Sequence, residues 1–228
     1  MVEISDQQER EEAKEDYYTF VGSVISNHEL MLLWERMLLM EVLGGHTESL
    51  LNELDAGRIH HQAEIHLPSK FSLISEDMGK WLKQAIDKAH TASKLRNIFA
   101  HAAWTFGEED GPLSEEDTSK VKLIRPRKSK EIGGKAEVKQ IRPYELTDIT
   151  RFVANCNRVW KEIVDEVCYN SEPDIWDYPE SADWSDLEKR MRVRWNDWLA
   201  KKHKFEKFKL QTIEAESFGA QQFWVAPD

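Results

Sequence analysis

Arg96-Asn97-Ile98-Phe99-Ala100-His101, near the middle of a 228-residue chain, brings a guanidinium, an amide and an imidazole within one short stretch. Histidine gives or takes a proton near neutral pH without help. Arginine is always charged and presents a rigid fork of donors. Together they suit chemistry at a phosphate, where one group moves a proton and the other holds the negative charge that builds up. Arg96 stands where an apolar residue is expected. Leu82, Ala85, Ile86, Ala89, Ala92, Phe99 and Ala103 recur at three- and four-residue spacing, the mark of an amphipathic helix. At about 100° per residue Arg96 falls inside that stripe. Ser93, Asn97 and His101, four apart, follow one edge of it, with His90 close by.

The element that must position these residues is a helix predicted over about 76–103. Ser75 is its N-cap, and Glu76 and Asp77 occupy the first turn, where the helix dipole favours acids. Five residues on a regular helix project roughly 140° apart. Arg96 and His101 therefore converge on one ligand by one of three routes. The arginine curls round, the helix ends near His101, or a second copy of the chain supplies the other half across a two-fold axis. The structural alternative is an arginine paired with a carboxylate and a histidine interacting with the helix end.

The pattern resembles the HEPN family, small all-helical domains found in many bacterial ribonucleases, toxins and defence proteins. Its signature is R-x4-6-H with a polar residue after the arginine. Arg96, Asn97 and His101 match it, within Lys94-Leu95-Arg96-Asn97-Ile98-Phe99-Ala100-His101 and followed by Trp104. The resemblance covers roughly residues 25–170. Two positions depart from it. Ala102 stands where many members have glycine. Ala103 stands where members modified by a nucleotidyltransferase partner carry tyrosine, which argues against that form of regulation.

The resemblance implies an antiparallel helical bundle and metal-independent RNA cleavage. The RNA 2′-hydroxyl attacks its own phosphate, His101 acts as general base or acid, Arg96 stabilises the phosphorane and Asn97 orients the histidine or the phosphate. DNA lacks that hydroxyl and does not react. The implied partners are RNA as substrate, a second copy of the chain through the motif helix, and an antitoxin. No cofactor or metal is expected.

Composition bounds the rest. Hydrophobic residues make up 40% and charged residues 32%. No run approaches the roughly 18 apolar residues of a membrane span, and Met1–Glu9 is acidic rather than a hydrophobic leader. The expectation is a cytoplasmic protein. Cys156 and Cys168 fall on one predicted helix, about 18 Å apart, too far to bridge. His60, His61 and His66 lack an acidic or cysteine frame and read as a polar surface loop rather than a metal site.

The net charge of −11 argues against a general nucleic-acid-coating protein. Local segregation still leaves room for an anionic substrate. Residues 120–142 hold nine Lys/Arg against Glu131 and Glu137, and residues 188–209 hold nine against Glu188, Asp197 and Glu206. Acids concentrate in 1–16, 108–117 and 172–186. Ordinary solvated surface is the competing reading of each basic stretch.

Along the chain, residues 3–25 read as a charged lead-in. Ser26-Asn27-His28-Glu29 is a capping-box pattern opening a helix that stops at Gly44-Gly45. A short helix at 47–54, a polar loop containing Pro68, the motif helix and an acidic loop at 105–119 follow. Val121–Arg125 and Glu137–Arg142 alternate apolar and basic residues around Gly133-Gly134, which predicts a small β-hairpin. Its Arg125, Arg127 and Lys128, with Ser93 and Lys94 beside the motif, are the expected substrate-binding residues. Thr147 caps a helix predicted over 148–169 whose wide apolar face carries Ile149, Phe152, Val153, Cys156, Val159, Trp160, Ile163, Val164 and Val167. Residues 171–228 read as an acidic linker and a basic, Trp-rich helical extension that packs on the bundle of residues 1–170 through Trp195, Trp198, Leu199 and Phe205. Residues 210–228 read as a loosely held tail.

The expected fold is thus mainly α, a HEPN-like antiparallel helical bundle with a small β-hairpin insertion and a helical C-terminal extension. The expected function is that of a HEPN-type endoribonuclease acting as a toxin or defence effector. The alternatives are a non-catalytic HEPN module that binds a nucleotide or RNA, and a dimerising adaptor.

Overall fold

The computed structural model describes residues 2–101, 103–106, 121–126, 135–141, 143–169, 196–201 and 211–214, together with residues 189, 205 and 208. The described chain is mainly helical. Its helices are α1 (Val2–Leu43), α2 (Glu48–Asn52), α3 (Ala56–Ser72), α4 (Glu76–His101), α5 (Pro143–Val164) and α6 (Asn196–Ala200). Its strands are β1 (Ala103–Phe106), β2 (Val121–Pro126), β3 (Lys135–Ile141) and β4 (Gln211–Glu214). No described helix is long and apolar enough to cross a membrane.

The chain divides into two compact units, each assembled from separated stretches. The first comprises Met1–Gly22, Asn97–Ile149 and Lys207–Asp228. It holds a sheet of order β1-β2-β3-β4 in which every neighbouring pair is antiparallel. Ala103 lies opposite Ile124, Arg125 opposite Glu137, and Glu137 opposite Thr212. Two of these strands fall where sequence periodicity places none. Ala103–Phe106 reads as a helix end running into an acidic loop, and Gln211–Glu214 as tail. A four-residue strand shows barely two cycles of alternation, so it is defined by the neighbour it pairs with rather than by its own pattern.

The second unit comprises Ser23–Arg96 and Thr150–Glu206. Its core is built by four helices with polar groups threaded between them. On α1 the buried positions are Val24, His28, Met31, Leu32, Glu35, Leu38, Leu39 and Val42, a helical stripe with two polar members. On α3 they are Ile59, His60, Ala63, Leu67 and Phe71, and on α4 they include Met78, Leu82, Ala85, Ile86, Ala89, Ala92, Ser93 and Leu95. On α5, Phe152, Val153, Cys156, Val159, Trp160, Ile163 and Val164 are buried. α3 and α4 run antiparallel, since Ser72 lies against Gly79 at one end and His60 meets Ser93 at the other.

Three boundaries correct the sequence reading. α1 is continuous through Ser26–Glu29, so the capping-box pattern caps nothing. The Asn27 amide instead donates to the Ser23 carbonyl, 2.9 Å away, inside the helix, and His28 turns inward. The stretch around Pro68 is helical rather than a loop. Asp55 caps α3 by accepting from the Arg58 amide at 2.9 Å, and apolar residues every four positions give the helix a face to bury. α5 starts at Pro143 rather than after Thr147, because proline at a first helical position gives up an N–H that has no helical partner there. It ends in a π-helical turn, Asp165–Tyr169. The expected division at residues 170–171 lies outside the described residues.

Within the second unit, α6 and the Phe205 that follows it seat on α5 through aromatic contacts. Trp198 and Phe205 lie 6.2 and 5.4 Å from Phe152, ring centre to ring centre, and Leu199 is buried. Lys88, on the buried face of α4, is accommodated there. Its ammonium donates to the Lys201 carbonyl at 2.8 Å and lies 5.0 Å from the centre of the Trp198 ring.

The α3–α4 crossing depends on Gly79. A Cβ there would stand 2.8 Å from the Pro68 carbonyl oxygen and 1.9 Å from Ser72 Oγ. The hydroxyl can rotate away but the backbone oxygen cannot, so Gly79→Ala should cost about 1–3 kcal/mol in urea unfolding, as overpacking does. Gly57→Ala, whose Cβ would meet nothing closer than 3.5 Å, should be neutral or stabilising by up to about 1 kcal/mol.

Candidate functional site

The polar members of the three buried stripes meet one another. His28 Nε2 lies 2.8 Å and His60 Nε2 2.5 Å from the Ser93 hydroxyl oxygen. His60 Nδ1 lies 2.7 Å from Glu35 Oε2, with both side chains essentially sealed from solvent. This is ion-pair distance, although the N–H vector is not aligned well enough on the oxygen for a good hydrogen bond. The other Glu35 oxygen has no hydrogen-bond partner among the described residues. His28 Nδ1 lies 3.3 Å from Glu29 Oε1, and the same oxygen accepts from Arg96 Nη2 at 3.0 Å. The His90 ring is tilted against His60 with centres 4.7 Å apart. Nearby, Asn157 donates to Asn27 and accepts from the Trp34 indole, at 2.9 and 3.0 Å.

Glu35, His60 and Ser93 have the contact pattern of an acid–histidine–serine triad. Burial argues against that use. Ser93 is 8% exposed, His60 1% and Glu35 0%. The hydroxyl sits mid-helix, held between two imidazoles, where no substrate carbonyl reaches it. The cluster is a structural core network with one arm leading outward through Glu29 to Arg96.

The motif residues occupy the last turns of α4. Arg96 is about one-quarter exposed, and the Glu29 carboxylate holds its guanidinium. It is therefore a paired arginine at the rim of its unit. Asn97 and His101 belong to the other unit and are exposed, with His101 the last residue of α4. Lys94 is exposed. Ser93 faces inward, a different setting from the open substrate-binding position expected of it. Arg125 lies in β2, and Arg127 and Lys128 lie outside the described residues.

Sequence reasoning read His28 and Glu29 as a helix start and His60 as a surface loop, and passed over Glu35. A signal was present. His28 and Glu35 are seven residues apart, two helical turns, and interrupt a stripe that is otherwise apolar. His60 follows Ile59 in the same way on α3. Nothing in one helix says that the interruptions on three helices coincide.

Other chemistries find no support among the described residues. No three His, Cys, Asp or Glu side chains come together as metal ligands. Burial pushes the Cys168 thiol up to about 12 and raises that of Cys156 further, so both free thiols stay protonated and poorly nucleophilic. No family model, curated protein or solved structure matches the chain.

The network carries a pH signature. Burial lowers the His28 pKa from its usual 6.5 to about 4 against the pull of Glu29, and burial also lowers that of His90. The fold thus favours the neutral imidazoles. The contribution of His28 is complete above about pH 6.5 and is lost as pH falls from there toward 4, where the unfolded chain binds a proton that the native state refuses, and that of His90 is lost in the same direction. For His28 the loss should approach about 3 kcal/mol. Urea unfolding at pH 7 and pH 5 should show about 2 kcal/mol of this fall, and it should shrink in His28→Gln. An equal fall in both proteins would remove His28 as its source.

Proposed function

We propose that the chain is a HEPN-type, metal-independent endoribonuclease. The observation that carries this reading is Arg96-Asn97-x3-His101 at the C-terminal end of one helix, with Asn97 and His101 exposed on its closing turns. A partly exposed guanidinium fixed by a carboxylate suits the holding of a phosphorane, because its orientation is set before substrate arrives. His101, last on the helix, is open to solvent and to a substrate hydroxyl.

The residues act as follows. One imidazole form accepts the proton of the RNA 2′-hydroxyl as it attacks the adjacent phosphorus. The bond to the 5′-oxygen breaks, that oxygen leaves with a proton, and a 2′,3′-cyclic phosphate remains. His101 supplies proton transfer, Arg96 balances the extra negative charge and Asn97 orients the phosphate or the imidazole. A regular helix sets Arg96 and His101 about 140° apart. Two copies of the chain meeting along α4 would therefore complete each site with one residue from each copy. In this reading the helices form a HEPN-like antiparallel bundle, β2 and β3 are its hairpin insertion, and Lys94, Arg125, Arg127 and Lys128 guide the RNA backbone. The protein is then a cytoplasmic toxin or defence effector, restrained by an antitoxin.

One observation favours a second reading. The Arg96–Glu29 ion pair already neutralises the guanidinium, as in a HEPN-like module that binds a nucleotide or RNA without cleaving it.

Incubation with total RNA in EDTA separates the two. The parent protein should leave 2′,3′-cyclic phosphate ends, and His101→Ala should lower the rate by about 10²-fold or more. Equal cleavage by both would overturn the assignment to His101. RNA or nucleotide binding without turnover would favour the binding module.

A further inference from the structure

The contacts from Glu35 to Arg96 form one unbroken series: Glu35 to His60, His60 to Ser93, Ser93 to His28, His28 to Glu29, and Glu29 to Arg96. Ser93 has one hydroxyl proton, and its hydrogen-bond partners among the described residues are the two imidazoles, so a hydroxyl that uses its proton donates to one and accepts from the other. Only two polarities are open to it.

In the first, Ser93 donates to His60. His28 then spends its proton on Ser93, and its bare Nδ1 lone pair faces the Glu29 carboxylate at 3.3 Å. His60 then carries its proton on Nδ1, where the Glu35 oxygen lies close but off the N–H direction, so that proton gains no good hydrogen bond. Both consequences are unfavourable.

In the second, His60 donates to Ser93 through Nε2–H, and Ser93 donates to His28 Nε2. His28 is then neutral and protonated at Nδ1, which donates to Glu29. The His60 proton is then used on Ser93, and the misaligned His60–Glu35 contact gives up no good hydrogen bond. Every hydrogen bond from His60 to Arg96 now has a proton between its atoms. A doubly protonated His28 would also reach Glu29, but burial holds that form off at neutral pH.

We infer that this second polarity is the native one, and that Glu29, gripped through a single oxygen by His28 and Arg96, is a positioning residue for Arg96 that is anchored to the core by the Ser93 relay. An isolated surface ion pair holds its partners loosely. Glu29 is half-exposed and would be such a partner by itself, but a buried donor fixes its carboxylate from behind. The orientation of the motif arginine thus comes from the core rather than from the surface. The relay concerns the structure alone, whereas the catalytic consequence of Glu29 rests on the ribonuclease reading.

The experiment is 15N NMR of histidine- and arginine-labelled full-length protein at pH 7, with His28 assigned through His28→Gln. The parent should show neutral His28 with the proton on Nδ1 and a bare Nε2. A proton on Nε2 would overturn the inference. Ser93→Ala, checked by circular dichroism for an intact fold, should loosen this preference and increase the mobility of the Arg96 guanidinium, and Ser93→Thr should keep both as in the parent. An unchanged Arg96 signal in Ser93→Ala would overturn the anchoring. In the RNA assay Glu29→Gln should lower kcat by roughly tenfold to a hundredfold with little change in KM. A rise in kcat would instead mean that Glu29 masks Arg96. If the parent cleaves no RNA, the ribonuclease reading fails, and the NMR result alone decides the relay.

Discussion

The Ser93 hydroxyl is the point on which the helical unit turns. α1, α3 and α4 each place a polar group in a stripe that should be apolar, and the three reach satisfaction only together, around one oxygen. A buried polar group without a partner costs several times what a satisfied one contributes. The network therefore penalises any slip of one helix past another more sharply than apolar packing would, because a slipped leucine still finds contacts and a slipped His28 or His60 loses its bond to Ser93. Gly79 serves the same registry from the other end of the α3–α4 pair by letting backbones approach where a methyl would not fit.

Energetically this is a core in which specificity outweighs stability. Replacing a buried ionic cluster with apolar residues of similar volume is often neutral or stabilising, whereas removing one partner leaves an uncompensated group behind. The surrounding Met31, Leu38, Ile59, Ala63, Ala89 and Leu95 supply the apolar burial. The polar cluster defines which faces meet, and its outer arm carries that definition to the Glu29 carboxylate. A surface arginine thereby acquires an orientation set by buried groups. Lys88 repeats the logic on a smaller scale. A charge on an apolar face is tolerated because a backbone carbonyl and a Trp198 ring meet it, and in meeting it they dock α6.

Arg96 shows how the structural and functional readings of a motif coexist. The ion pair to Glu29 is the commonplace fate of a half-buried arginine, and it is also what a charge-stabilising group needs if its geometry is to be fixed before substrate arrives. What separates the two is whether the Glu29 carboxylate competes with an incoming phosphate or aims the guanidinium at it. His101 and Asn97, exposed at the end of α4, fit either role.

By itself the sequence determined the apolar faces, since periodicity is a local property. The stripes of α4 and α5, the stop at Gly44 (φ 93°) and the alternation in β2 and β3 all follow from spacings within single segments. It also singled out Arg96 and His101, because charge and chemistry at short range are legible without a fold. Only the tertiary structure decided where the interruptions in those faces lead. Ser26–Glu29 read as a helix start, because a lone segment cannot show that His28 has a buried partner sixty-five residues away. His60 and Pro68 read as loop, because polar and imino residues outweighed a four-residue apolar period that becomes decisive only once another helix lies against it. β1 and β4 had too few residues to declare themselves before pairing. The physical reason is the same throughout. Hydrophobic burial can be anticipated from one helix at a time, whereas a buried hydrogen bond belongs to two elements and exists only where both have arrived.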